Sequence, residues 1–188
     1  MQVSKLKVIL LTGFSIAVLG CNSSTSSNGD GNLAAAGTID FTLDATAFTV
    51  PAKSGAYGSS AIYVRTQKLL IINGVIQTGM RNLQLSASGL TEVGALGAIN
   101  LGGTTSGNAK VTYPGSVNYM DSLSAGSARA FCTTLTSTGT MTLTKLDTTA
   151  LMVSGTFSSN TSQYKPSGTT GTAAITAGSF TDVPITML

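Results

Sequence analysis

The chain predicts an all-β domain, a β-sandwich with a barrel-like closed sheet as the alternative, built from strands joined by short Gly-rich hairpin loops. Two observations predict it. Beyond residue 35 short runs alternate apolar and polar residues, with Gly, Asn, Asp and Pro between them. No segment in the same stretch carries an apolar period near 3.6 residues, so no amphipathic helix is foreseen.

Taken in order, Thr38–Leu43 puts Ile39, Phe41 and Leu43 on one face. Asp44-Ala45 interrupts it, and Thr46–Val50 resumes with Phe48 and Val50 apolar. Ala61–Arg65 and Lys68–Ile72 are β-rich, the second ending at Asn73-Gly74, a tight-turn dipeptide. Asn82–Ala87 alternates again. Ala98–Leu101, Ala109–Tyr113 and Ser116–Tyr119 are shorter strands, the last two separated by the turn signal Pro114-Gly115. Leu90–Leu96 has room for one helical turn. Gly139–Leu146 presents Met141 and Leu143 on one side and Thr on the other, turns at Asp147-Thr148-Thr149, and returns as Leu151–Phe157, which reads as a hairpin. Gly171–Thr176 and Ser179–Ile185 complete the domain as two strands around a turn at Gly178, with Pro184 marking an edge or a strand end.

The chain start is organised differently. Lys5 and Lys7 precede an apolar stretch, Val8 to Leu19, broken by Thr12, Gly13 and Ser15. A bilayer-spanning helix needs about 20 apolar residues, so the stretch reads as a secretory signal peptide, an uncleaved anchor being the alternative. Its end, Val18-Leu19-Gly20-Cys21, resembles the lipobox of bacterial lipoproteins. That resemblance implies cleavage before Cys21, a diacylglycerol on its thiol and acylation of the new amine, the modification that labelled palmitate reports. Two or more acyl chains hold a protein stably on a membrane. Residues 22–32 contain no apolar side chain and are rich in Ser, Asn and Gly. They read as a tether reaching about 18 Å. Asn22 follows the cysteine in place of the Asp that suggests inner-membrane retention, so the expected location is the outer membrane, facing the periplasm. The organisation is thus 1–20 signal peptide, 21–35 lipidated Cys21 and tether, and 36–188 a single all-β domain.

Composition narrows the function. Only 9% of residues are charged and the chain has no His or Trp. Losing Lys5 and Lys7 from the ten basic residues leaves eight against seven acidic ones, with no basic run, so nucleic acid is not an expected partner. Without His there is no Ser-His-Asp triad, Cys-His pair or His-containing zinc site. Lipidation of Cys21 leaves Cys132 alone, expected buried and inert, with a reactive thiol as the alternative.

The C-terminal third, Gly139–Asp147, Val153–Phe157 and Ile175–Ile185, resembles the ending of an uncharacterised all-β lipoprotein domain family of the Bacteroidetes type. The match covers about the last 50 residues and departs at Gly155-Thr156-Phe157-Ser158-Ser159, where members often carry Phe-Ser-Phe after Gly-Thr. It implies a lipid-anchored envelope domain with no established activity, and it brings no catalytic residue.

Candidate chemistry is sparse. Carboxylates fall mostly at predicted turns; Asp40 and Asp44 share a strand side, yet a turn or edge role fits them better than a cation, so no metal and no cofactor is assigned. Gly102–Gly107 lacks the setting and the Lys of a phosphate cradle and reads as a hairpin loop. Ser154-Gly155-Thr156 lacks the Gly-x-Ser-x-Gly nucleophile elbow. Gly155 suggests a bulge or close backbone packing, Phe157 and Phe180 are core, and Asp147 accepts a turn hydrogen bond. Tyr57, Tyr63, Tyr113, Tyr119 and Tyr164 are the aromatic candidates, and Tyr113 with Tyr119 is the chosen ligand contact, two rings held by the Pro114-Gly115 turn. The expected function is a non-catalytic envelope protein that binds or scaffolds another envelope component, a protein or a glycan. The alternative is a His-independent hydrolase using carboxylates or Ser, which two converging carboxylates or a Ser beside a Lys would favour.

Overall fold

Alternation makes the first hairpin. In β1 (Thr38–Leu43), Ile39, Phe41 and Leu43 are buried while the residues between them are half-exposed. Asp44 and Ala45 have φ of 46° and 65°, the left-handed pair of a two-residue type I′ turn whose twist matches the flanking strands. The chain then returns as β2 (Thr46–Val50), with Phe41 opposite Phe48 and Ile39 opposite Val50. The computed structural model describes residues 36–78, 80–90, 97–106, 110–122, 128–134, 137–164 and 171–188. All of them belong to one compact unit. Cys21, the segment 1–20, the tether 21–35 and residues 91–96 of the expected helical turn lie outside the described residues.

The other strands are β3 (Gly58–Val64), β4 (Leu69–Ile76), β5 (Arg81–Ala87), β6 (Ala98–Asn100), β7 (Gly102–Ser106), β8 (Lys110–Ser122), β9 (Ala128–Cys132), β10 (Thr138–Asp147), β11 (Met152–Tyr164) and β12 (Gly171–Met187). A 3-10 turn, Arg65–Gln67, is the only helical element among the described residues. None of their helices is long and apolar enough to cross a membrane. The strands form a single sheet in the order β2-β1-β12-β3-β4-β5-β8-β9-β11-β10-β6, with β7 on β8. The sheet curls until β11 also pairs with β12. The fold is therefore all-β and takes the barrel-like form rather than two facing sheets.

Long strands cause the curl. β12 has 17 residues and shares itself out, with β1 on one side at residues 175–181 and β3, parallel, at residues 185–187. Its register slips against β11 between Val153/Gly155 and Phe157/Ser159. Ala177 and Asp182, with φ of 50° and 47°, sit at those two slips. A bulge puts an extra residue into one strand, bends it and raises its twist, and two of them fold β12 around the core.

The strands depart from the sequence expectations at several positions. Gly171–Thr176 and Ser179–Ile185 are one strand, because the Ala177-Gly178 irregularity is a bulge and not a turn. Asn73-Gly74 lies inside β4, Asn73 opposite Ser60 and Gln84. Gly74 is there for space: a Cβ would stand 2.8 Å from Val50 Cγ2, where the first hairpin packs across β4. Pro114-Gly115 lies inside β8, where Pro114 falls at the slip between the Gly102 and Thr104 pairings and its missing N–H is tolerated. Gly102–Ser106 is strand β7 and not a loop.

One aromatic cluster ties the curl together. Phe41 stacks on Phe48 at 5.3 Å and meets Tyr119 edge-on at 6.0 Å and Phe157 at 6.4 Å. Phe157 continues to Phe180 and Tyr119 to Phe131. Such contacts add about 0.5–1.5 kcal/mol each beyond the area they bury. They hold β1, β2, β8, β9, β11 and β12 around one core, and Phe157 and Phe180 take the core positions expected of them.

Candidate functional site: a hydroxyl-lined groove on the outer sheet face

Where one strand face is given to the core, the other carries Thr and Ser. In β10, Met141 and Leu143 are buried, and Thr140 and Thr142 point the other way. In β11, Val153, Gly155 and Phe157 face inward, and Thr156 and Ser158 face outward. Pairing sets these residues side by side: Thr140 opposite Ser158, and Thr142 opposite Thr156. Thr156 in turn stands opposite Ser179 of β12, and Ser179 opposite Asp40 of β1. A row therefore runs across four strands as Thr142, Thr156, Ser179 and Asp40.

A groove of about 470 Å³ lies over this face, lined by Thr140, Thr142, Thr156, Ser158 and Ser179, with Phe157, Ala177 and Gly178 making up the rest. The groove lies at the Ala177 bulge; Gly178, opposite Phe157, faces the core, where a Cβ would lie 2.5 Å from the Phe157 carbonyl oxygen and 2.7 Å from its ring. Ser179 is 5% exposed and its Oγ is buried without a hydrogen-bond partner among the described residues. A buried hydroxyl left unsatisfied costs about 1–3 kcal/mol, so this atom marks where the groove has an unmet polar requirement.

Of the two tyrosines foreseen as a ligand contact, Tyr119 lies in the core and not at the surface. Tyr119 is fully buried, packed in the aromatic cluster, and its hydroxyl donates to Asp121 Oδ2 at 3.3 Å. The reason is register: with no turn at Pro114-Gly115, β8 runs straight on and its alternation points Tyr119 inward. Tyr113 lies in β8, and its side chain is outside the described part. Tyr63 is also core, while Tyr57 is exposed.

The carboxylates are dispersed. Asp121 is interior; Asp40 is on the outer face beside Ser179. Asp44 Oδ1 accepts the Ala174 N–H at 2.9 Å and docks the first hairpin on β12. Asp147 Oδ1 accepts the Thr149 and Ala150 N–H groups at 2.9 and 2.7 Å, the turn role foreseen for it, and these bonds hold its carboxyl below the ordinary carboxylate pKa. Among the described residues no group of three His, Cys, Asp or Glu side chains is placed to hold a metal ion.

A Ser beside a Lys does occur. Ser154 stands opposite Lys145, and both bind Asp182: Lys145 Nζ lies 3.0 Å from Oδ1, and Ser154 Oγ donates to the same oxygen at 3.2 Å. Ser154 Oγ also accepts the Asp182 N–H at 2.8 Å. The serine hydroxyl is thus engaged on both sides, and the trio braces the Asp182 bulge. Its work is structural: it holds a left-handed non-Gly residue in the middle of a strand.

Cys132 is a free thiol and half-buried rather than buried. Phe131 takes the inward position in β9, so Cys132 faces outward opposite Asn118 and Ser162. A second hollow of about 330 Å³ is lined by Leu90, Ile99, Pro114, Leu143 and Leu146 among others. The Thr face of β10 was legible in the sequence, but Ser179 was not, because the turn expected at Gly178 separated it from that face.

Comparison with protein-family models, with curated proteins and with solved structures finds no match to this chain.

Proposed function

We propose that this chain is a lipid-anchored envelope protein whose all-β domain is a non-catalytic binding or scaffolding module. In this reading Cys21 carries the lipid, the tether spaces the domain from the outer membrane on its periplasmic side, and the hydroxyl-lined groove is the contact surface. The observation that carries the binding role is the groove itself, with a buried Ser179 Oγ that has no partner among the described residues beside the hydroxyls of Thr140, Thr142, Thr156 and Ser158. The anchor rests on Val18-Leu19-Gly20-Cys21 and the polar stretch after it. The Ser154–Lys145–Asp182 cluster supports a brace more than a nucleophile, since the serine hydroxyl is occupied by Asp182 on both its donor and acceptor sides.

Two measurements test the reading together. Cells grown with labelled palmitate tag the wild type, and Cys21→Ser loses the label and accumulates precursor. The full-length protein, extracted in detergent, retains an envelope component that a Thr142→Val/Thr156→Val variant retains less. Processing and membrane retention of the Cys21→Ser variant would remove the anchor, and equal retention by both forms would remove the groove.

A further inference from the structure

We propose that the outer-face groove of β10, β11 and β12 is a binding site for a neutral glycan, recognised by side-chain hydroxyls alone. The proposal rests on the envelope-binding reading above and names its ligand class. Three features of the groove select that class. Its polar lining is hydroxyl: Thr140, Thr142, Thr156, Ser158 and Ser179, with no charged side chain among the lining residues. A hydroxyl both donates and accepts, which suits a ligand whose own groups are hydroxyls. An anionic ligand would meet no cation here and would lie near Asp40, the cross-strand neighbour of Ser179.

Topology excludes the other common way a sheet binds. A peptide adds to a sheet by pairing with an unpaired strand edge. At the groove β11 lies between β10 and β12, β12 is flanked by β11 and β1, and β10 is flanked by β11 and β6 at residues 140–142. Outside the bulge at Ala177 the backbone of the groove is therefore already paired, and side chains are what remains to bind with.

Dimensions fit as well. Strands lie about 4.8 Å apart and alternate residues on one face about 6.7 Å apart. Thr142, Thr156 and Ser179 thus span about 10 Å across the strands, with Thr140 and Ser158 one step along, a grid on the scale of a disaccharide. The volume of about 470 Å³ lies within the range of small-ligand sites. Ser179 supplies the anchor: at 5% exposure its Oγ has no partner among the described residues, so a ligand hydroxyl reaching it forms a bond that those residues do not supply.

The test uses the full-length protein in detergent on an array of neutral oligosaccharides (glucans, mannans and chito-oligosaccharides) beside sulfated and uronate-containing ones, followed by titration of the best neutral binder. The expected result is retention of neutral glycans. Ser179→Ala then weakens binding about two- to tenfold with no loss of thermal stability, since it removes a hydroxyl that the fold leaves unsatisfied. Thr142→Val/Thr156→Val, which keeps the β-branched shape, weakens it further. Retention of anionic glycans alone, of no glycan, or of neutral glycans equally by wild type and variants overturns the proposal. If glycans fail while an envelope protein is lost on the groove variants, the envelope-binding reading stands and the glycan class falls. If neither is retained, both fall.

Discussion

Gly155→Ala tests how tightly the curl is packed. Gly155 is buried in β11 at a register slip, and a Cβ added there meets the backbone carbonyl oxygen of Thr142 and, at 2.6 Å, the Cζ of Phe180. Neither obstacle yields easily: the carbonyl belongs to the neighbouring strand β10, and Phe180 is 1% exposed in the core. Overpacking of this kind costs about 1–3 kcal/mol, against which alanine recovers about 0.4–1 kcal/mol by restricting the unfolded chain. The net loss is at most about 2.6 kcal/mol, and for a domain of this size each kcal/mol moves Tm by about 2–4 °C, so Gly155→Ala is expected to lower Tm by a few degrees and at most about 10 °C. Gly74→Ala is the internal comparison. Its Cβ meets only methyl groups, Val50 Cγ2 at 2.8 Å and Ile39 Cδ1 at 3.3 Å, and Val50 lies on β2 at the free end of the sheet. That strand can shift, so Gly74→Ala is expected to cost less. Thermal and urea unfolding followed by far-UV circular dichroism measure both. Equal melting of Gly155→Ala and wild type, or a larger loss for Gly74→Ala, would refute the packing argument.

Other outcomes follow from the same contacts. Phe41→Ala removes the ring that joins Phe48, Tyr119 and Phe157, and is expected to cost about 3–5 kcal/mol in urea unfolding. Asp182→Asn weakens the ion pair to Lys145, whose partners are 39% and 33% exposed, so the pair itself accounts for no more than about 1 kcal/mol; Lys145→Gln, which breaks the same pair and leaves the Ser154 bonds intact, should cost less than Asp182→Ala. The Ala150 and Thr149 N–H groups hold the folded pKa of Asp147 below the ordinary carboxylate value, so its contribution is present above about pH 4 and is lost as pH falls through the folded value. Unfolding measured across pH 2–5 should show a shallower acid loss for Asp147→Asn than for wild type.

Fold class and core were legible because the signals that carry them are local. Alternation placed Ile39, Phe41 and Leu43 inward, and Gly139–Phe157 declared its own hairpin with Asp147 at the turn. What misled was punctuation. Asn73-Gly74, Pro114-Gly115 and Ala177-Gly178 all read as turns, and each lies inside a strand. Gly74 answers to Val50, 24 residues earlier, and Gly178 to Phe157 on the neighbouring strand; a packing demand from so far along the chain leaves no local pattern. Tyr119 was misplaced for the same reason. Breaking β8 at Pro114 turned Tyr119 toward solvent, whereas the unbroken strand buries it. Breaking β12 at Gly178 hid the alignment of Ser179 with Thr156 and Thr142 that makes the groove.

Hydrogen–deuterium exchange on the full-length protein, with and without the polysaccharide fraction of the envelope, tests the central claim most directly. If the outer groove is the contact surface, added protection concentrates in peptides covering residues 138–144, 154–160 and 174–181, and is lost in the Thr142→Val/Thr156→Val variant. Protection confined to other strands, or none at ligand concentrations that saturate retention, would contradict it.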